Sequence, residues 1–454
     1  MMQVNFAQPA TTASYSEFVN PQWVRLLDLL QMNVHYESCL VAELFTSDGR
    51  RILDFLSGYG VHNAGHNHPR IVQAIREELE RCGPAMIQTH VAEPAGELAA
   101  TLCRLAGGEL SKAFFCSSGS EAVEAAIKFA RAHTGRNALL SASGAFHGLT
   151  CGALSLMDDA FWREGFGSML PEVASVPFGN LAALQEALKT GKYAAFIVEP
   201  IQSEAGVIVP PPDYFRSAQV LCRSAGTLLV FDEVQTGLYR TGPFLAAHRF
   251  GVSPDMVLLA KALSGGLVPC GAVLMSNPIY DSVYGSLRRS IVHTSTFSEN
   301  ALAMRAAAAT LEVLESEGLG RRAARLGEEL QQRLRDVLAP FEMVKDVRGQ
   351  GLLLGIEFGK PAQLRLRAAF QAFHHIHPAM FGQILVMHLF RDHGILTQIC
   401  GNNFLVLKVA PPLVVTENEL EEFVTAVHNV VRQAHSSPAF WSEALGMARR
   451  AINI

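Results

Sequence analysis

Three apolar runs in this chain each end on an ionisable side chain. "AAFIVEP" (194–200) carries Glu199, "TLLVFDE" (227–233) carries Asp232 and "MVLLAK" (256–261) ends at Lys261. An ammonium that follows Met256–Ala260 is costly to desolvate. Desolvation also lowers its pKa, so the neutral amine becomes accessible as a nucleophile toward carbonyls, and a Schiff base removes the charge altogether. These residues point to imine chemistry with an aldehyde, carried out beside carboxylates.

An aldehyde cofactor that works this way needs an electron sink. In pyridoxal phosphate (PLP) the ring is that sink, and a carboxylate beside the ring nitrogen keeps it protonated. Asp232 is the candidate carboxylate, Val234 offers an apolar face, and Gln235 offers a hydrogen bond to the phenolic oxygen. The phosphate needs donors. "CSSGSEAVEAAIKFA" reads as a strand, a small-residue turn and a helix, so Ser118, Gly119 and Ser120 bring N–H groups and hydroxyls to a helix N-terminus, where an anion is favoured. The same residues also suit an ordinary helix cap. Phe146, among small residues in "GAFHGLT", can stack on a planar ring or serve as core.

The elements that must hold these groups follow from patterning. "KAFFC" (112–116), "ALLSA" (138–142), the three runs above and "GAVLMS" (271–276) are short and apolar without alternation, with helical patterns such as "DYFRSAQVLCRSA" (213–225) between several of them. Strands covered on both faces and separated by helices make a mostly parallel α/β sheet, whose ligands bind beyond the carboxyl ends of the strands. After Asn300 a helical stretch leads to a second α+β set, "GLLLGIEFG" (351–359), "FLVLKVAPPL" (404–413) and a helix over 417–434. The expected division is a large cofactor-binding domain over 61–335 and a small domain over 336–454 that the N-terminal segment 1–60 joins.

Composition narrows the class further. The chain has 454 residues, 49% of them hydrophobic, and a net charge of −5, which gives no long-range reason for nucleic acid or an anionic membrane as partner. Its eight cysteines form no CxxC pair and lie mostly in apolar runs, as expected of reduced, buried thiols in a cytoplasmic protein. The opening "MMQVNFAQPATTASYSEF" lacks the pattern of a signal peptide, and no apolar run spans a membrane. His66 and His68 in "GHNHP" have no third ligand at a suitable spacing, so no metal is expected.

Taken in order, "DFLSGYGVHNAGHNHPRI", "SSGSEAVEAAIKFAR", "FHG", "VEPIQSEAGVIVP", "FDEVQTGLYRTG" and "LLAKALSGG" resemble the class III (ornithine/acetylornithine/putrescine-type) PLP-dependent aminotransferases over roughly residues 35–430. The resemblance implies the type I aminotransferase fold, pyridoxal 5′-phosphate, and transfer of an amino group by two ping-pong half-reactions. Lys261 would condense with the cofactor and move the proton between substrate Cα and cofactor C4′. Asp232 would pair with the ring nitrogen, Val234 and Phe146 would sandwich the ring, and Gln235 would hold the phenolic oxygen. Gly119 and Ser120 would bind the phosphate. "HTSTFSEN" (293–300) matches a segment that crosses to a second subunit, so Thr296 would complete the neighbour's phosphate site in a homodimer or higher homo-oligomer. Tyr59 matches a position near the substrate.

Two departures bear on the substrate. "FHG" is usually followed by Arg, and here by Leu149; the strand before "APPL" usually carries an Arg for the substrate α-carboxylate, and here the position is Lys408. Arg grips a carboxylate bidentately, whereas Lys is a point charge. Glu204 in "QSEAG" matches a glutamate that neutralises that Arg, so a Glu204–Lys408 pair could open for a keto acid and close for an amine. The expected amine or aldehyde partner is therefore neutral or apolar, and "AAFQAFHHIHPAMFGQILVMHLF" (368–390) is a candidate pocket lining or core segment. The alternatives are an ornithine, acetylornithine or diamine aminotransferase, an aminomutase, racemase or decarboxylase on the same lysine, and a non-catalytic binding protein on the same scaffold.

Overall fold

The computed structural model describes residues 10–87, 89–376 and 379–452. Residues 1–9, part of the stretch read as lacking a signal peptide, lie outside them, as do residues 377–378 of the Phe- and Met-rich segment.

The apolar runs from residue 110 onward assemble into one seven-stranded sheet. Its strands are β1 (Leu110–Cys116), β2 (Ala138–Ala142), β3 (Val173–Val176), β4 (Tyr193–Val198), β5 (Leu228–Asp232), β6 (Met256–Leu259) and β7 (Gly271–Ser276), in the order β1-β7-β6-β5-β4-β2-β3. Strands β2 to β6 are parallel, and β7 runs against both of its neighbours. Every residue of β2, β4, β5, β6 and β7 is buried, which explains the missing alternation: both faces are covered. The edge strand β3, "VASV", is short and only partly buried, so its sequence carries no such signal.

Helix α1 (Gly119–Thr134) follows β1 and ends at Gly135, whose φ of 67° closes the helix in the left-handed form. It buries a face of Ala122, Val123, Ala126, Phe129 and Ala130 against Leu139, Val230, Met256 and Val273 of the sheet. Small residues let the helix lie close to the strands, and burying Phe129 contributes roughly 1.5–3 kcal/mol. The chain leaves β2 outward to β3, then returns past β2 to β4 before continuing to β5 and β6. That reversal opens a crevice at the carboxyl ends of the central strands.

Two smaller sheets complete the fold. Strands β8 (Leu353–Phe358) and β9 (Val406–Val409) sit in an antiparallel sheet with Val344–Gln350 and Gln398–Ile399. The other joins Tyr36–Leu40, Glu43–Thr46 and Arg51–Asp54 to Ile395–Leu396, with Ile395 opposite Leu53 and Leu396 opposite Asp54. The helix Met380–His393 is buried through most of its length and packs under the C-terminal helix, Phe381 stacking on Trp441 at 6.0 Å. Residues 379–390 of the 368–390 segment are thus core, while Ala368 and Gln371 are exposed. All eight cysteines are free thiols; four are buried, but Cys82 and Cys151 are exposed, contrary to the expectation of general burial. Among the described residues no helix is long and apolar enough to cross a membrane.

Candidate active site

Adjacent strands β4, β5 and β6 deliver Glu199, Asp232 and Lys261 to a single cavity of about 540 Å³. Lys261 opens a single 3₁₀ turn, Lys261–Ser264, with a left-handed backbone (φ 47°). The turn closes on Gly265 and Gly266, both at positive φ; a Cβ on Gly266 would lie 2.4 Å from Nδ1 of His62, so only glycine fits beneath that ring. Lys261 Nζ donates to Gln235 Oε1 at 2.9 Å. Burial lowers the ammonium to about 8, against its ordinary 10.5, and the charge of Lys408 adds to the effect. A tenth of the amine is then neutral at pH 7, which suits attack on a carbonyl.

Beneath this lysine lies a charged floor. Asp232 Oδ2 meets His147 Nδ1 at 2.8 Å, and Oδ1 accepts the Val234 amide at 3.1 Å. Burial disfavours charge on His147, but the hydrogen bond and charge of Asp232 override it and raise its pKa. Glu199 accepts the Phe146 amide at 3.1 Å, and burial, with the Asp232 charge adding, pushes its carboxyl up to about 8. At neutral pH Glu199 therefore holds a proton while Asp232 and His147 form a pair. His147 is the site residue that sequence reasoning passed over. Its signal lay inside "FHG", where a histidine sits between Phe146, which lines the cavity, and Gly148.

The turn after β1 forms the opposite wall. Ser118 is the cap of α1, its hydroxyl accepting the Glu121 amide at 3.2 Å. Ser118 is thus a cap and also lines the cavity, together with Gly119 and Ser120 at the helix start, where amides lack intrahelical acceptors. Close packing shapes this wall. A Cβ on Gly119 would lie 3.0 Å from Val234, and one on Gly148 would lie 2.1 Å from the Ser120 hydroxyl. Val234 and Phe146 both line the cavity, and Phe146 meets Trp162 edge-on at 5.3 Å.

Glu204 forms the rim and Lys408 lies behind it. Lys408 is fully buried on β9, not solvent-facing, and its ammonium is ion-paired with Glu204 Oε1. Burial would raise Glu204 and lower Lys408; each partner's charge overrides it, so the carboxyl sits below and the ammonium above its ordinary pKa. The second carboxylate oxygen accepts the Gly401 amide at 2.8 Å, and the Lys408 ammonium stands 5.4 Å over the Tyr59 ring. Leu149 is exposed. Thr296 is exposed too and lines a second cavity, with His90 and Arg305, apart from Lys261. His66 pairs with Asp54 at 2.8 Å and His68 with Glu317 at 3.1 Å, and among the described residues no group of three or more His, Cys, Asp or Glu could hold a metal.

These residues fit PLP on three observations. Gln235 Nε2 is buried without a partner, a donor left over for a phenolic oxygen. Asp232 presents a carboxylate on the cavity wall, where a ring nitrogen needs an acceptor. Gly119 and Ser120 offer a helix start for a phosphate.

The family model "Aminotransferase class-III" matches residues 31–431. Among curated relatives, the aminotransferase PigE of Serratia sp. (strain ATCC 39006) is 36% identical over 455 residues, covering 93% of this chain and 53% of that protein. This chain thus spans about half the length of that relative. A putrescine aminotransferase of Pectobacterium atrosepticum is 35% identical over 437 residues, covering 93% of this chain and 88% of its own. Two solved structures of ornithine aminotransferase from Toxoplasma gondii superpose with TM-scores of 0.81 and 0.79 at 30% identity, covering 93% of this chain and 94% and 98% of theirs; the second has PLP at partial occupancy.

Proposed function

We propose, on the premise that this chain belongs to the class III aminotransferases, that it binds PLP and moves an amino group between an amine or amino-acid donor and a keto-acid or aldehyde acceptor by a ping-pong route. The observation that carries this reading is the convergence of Lys261, Asp232 and Gln235 on one cavity, with the lysine lowered to about 8. Bound PLP supplies an aldehyde and an electron sink. Asp232, hydrogen-bonded to His147, would hold the ring nitrogen. Gln235 would hold the phenolic oxygen, and Gly119 and Ser120 would hold the phosphate. Lys261 would take the proton from substrate Cα and give it back, as general base and then acid.

The amine or aldehyde partner is neutral or apolar, because Leu149 replaces the Arg that usually follows "FHG" in the related aminotransferases. The keto acid is taken by Lys408 when Glu204 swings off it. A homodimer in which Thr296 completes the neighbour's phosphate site accords with its place outside the Lys261 cavity. The large unit runs over 61–335 and the small unit over 336–454 with residues 1–60. Each half-reaction can be followed alone by the cofactor's visible spectrum. Donor amines should convert the aldehyde form to the amine form, with release of a carbonyl product. Lys261→Ala should lose both the visible band of the resting protein and turnover. A variant that kept full activity and that band would end this reading, and rapid turnover of ornithine with none of alkyl amines would end the substrate assignment.

A further inference from the structure

The short loop 400–403 contacts both Glu204 and Trp162. Gly401 gives its amide to Glu204 Oε2 at 2.8 Å, and the Asn402 amide donates to the Glu204 carbonyl at 2.9 Å. The Asn402 side chain faces the other way. Its Oδ1 accepts the Trp162 indole N–H at 2.7 Å, and its Nδ2 donates to the Gly144 carbonyl at 2.9 Å, two residues before Phe146. Trp162 in turn packs on Phe146 and on Phe161, whose ring is exposed. Gly401 lies between the two partners: a Cβ there would stand 3.0 Å from Glu204 Oε2 and 3.2 Å from Trp162 Cζ2. A missing side chain thus lets an ion-pair partner and an aromatic wall press on one peptide.

We infer that Asn402 is a positioning residue that couples the Glu204–Lys408 pair to Trp162, so that the aromatic wall takes a different position for each of the two substrate classes. With the pair closed, Glu204 holds Gly401, Asn402 holds the indole, and Trp162 backs the ring of Phe146, which presents an apolar face of the cavity to an uncharged carbon chain. When Lys408 instead takes the carboxylate of a keto acid, Glu204 leaves Gly401. The half-buried Gly401 amide loses its acceptor, a loss the backbone relieves by moving, and Trp162 moves with it. The ion pair alone would discriminate by charge. The loop adds a discrimination by shape in step with it. This rests on the aminotransferase reading above.

The test uses the PLP-loaded protein, hexylamine as uncharged donor and 2-oxoglutarate as carboxylate acceptor. The chain has three tryptophans, and the emission missing from Trp162→Phe isolates the one on the rim. In the parent protein 2-oxoglutarate should shift that emission. In Asn402→Ala the shift should shrink at least threefold, and the KM for hexylamine should rise about tenfold. The kcat of the 2-oxoglutarate half-reaction should change less than twofold. Asn402→Asp, which keeps an acceptor for the indole, should restore the emission response. An Asn402→Ala protein that slows both half-reactions equally, or keeps the full emission response, overturns the coupling while leaving the aminotransferase intact. A parent protein whose bound PLP is left unconverted by hexylamine and by every other amine donor overturns both.

Discussion

Lys408→Met should be among the most destabilising single changes on the rim, and its cost should be recoverable by a second substitution. Lys408 is fully buried and Glu204 nearly so, and they are ion-paired. Removing the ammonium leaves a buried carboxylate with the Gly401 amide as its remaining hydrogen-bond donor. Breaking a buried pair from one side costs about 3–5 kcal/mol. Glu204→Gln strands the ammonium instead, at a similar order of cost, but retains an oxygen for Gly401. The double variant, E204Q/K408M, removes both charges and should return to within about 1–2 kcal/mol of the parent, because a neutral replacement of a buried pair is often nearly neutral. The expected coupling is therefore at least about 3 kcal/mol, read from a double-mutant cycle of chemical denaturation. The pH dependence has a definite sign. Glu204 is depressed when folded, so its contribution is present above the ordinary carboxylate range and is lost as pH falls through the lowered folded value. Lys408 is raised, so its contribution is complete below the ordinary lysine range and is lost as pH rises through the raised value. The coupling should be flat between about pH 5 and 10 and decline at both ends. Additive single costs, or a Lys408→Met protein within about 1 kcal/mol of the parent, would refute the reasoning.

Cofactor capture by the cofactor-free protein should accelerate with pH through about 8 and then level off. At pH 7 a lysine at about 8 has roughly 300 times the neutral fraction of one at 10.5; stopped-flow absorbance would show the midpoint, and one near 10 would contradict it. Gly148→Ala should weaken cofactor retention and lower the thermal midpoint, since the new Cβ would meet the Ser120 hydroxyl at 2.1 Å from a backbone at φ 115°; equilibrium dialysis and calorimetry would measure the two effects, expected at about 2 kcal/mol or more in stability. Leu149→Arg should raise kcat/KM for donors with a distal carboxylate by about tenfold, the range of a charge-assisted hydrogen bond, while hexylamine turnover stays level or falls.

The sheet was legible because full burial of β2, β4, β5, β6 and β7 leaves a physical trace, an apolar run of strand length without alternation. The three acidic and basic strand ends were legible for the complementary reason: charge after such a run is costly unless it is used. Edge strand β3 left no trace because an edge need not be apolar. His147 was hidden because its partner, Asp232, lies 85 residues away, and a buried imidazole looks like any other residue in a motif. Lys408 could be placed on a strand from sequence, but its direction could not, since strand position 408 is either inward or outward by a one-residue shift of register. Asn402 carried no signal at all. Its contacts are to a tryptophan, two carbonyls and a glutamate backbone brought together only by the fold.

The parallel pairing of Ile395–Leu396 with Arg51–Asp54 sets a schedule as well as a shape. A strand made early in synthesis must wait for a partner 341 residues downstream of Asp54. At ordinary translation speeds that is a wait of roughly 20–70 s. The Tyr36–Thr46 hairpin and its third strand spend that interval with one edge open, next to a growing sheet of strongly apolar strands. A ribosome-bound nascent chain halted before residue 395 should therefore be the species most open to proteolysis and to capture by chaperones, and release of only a few dozen further residues should close it.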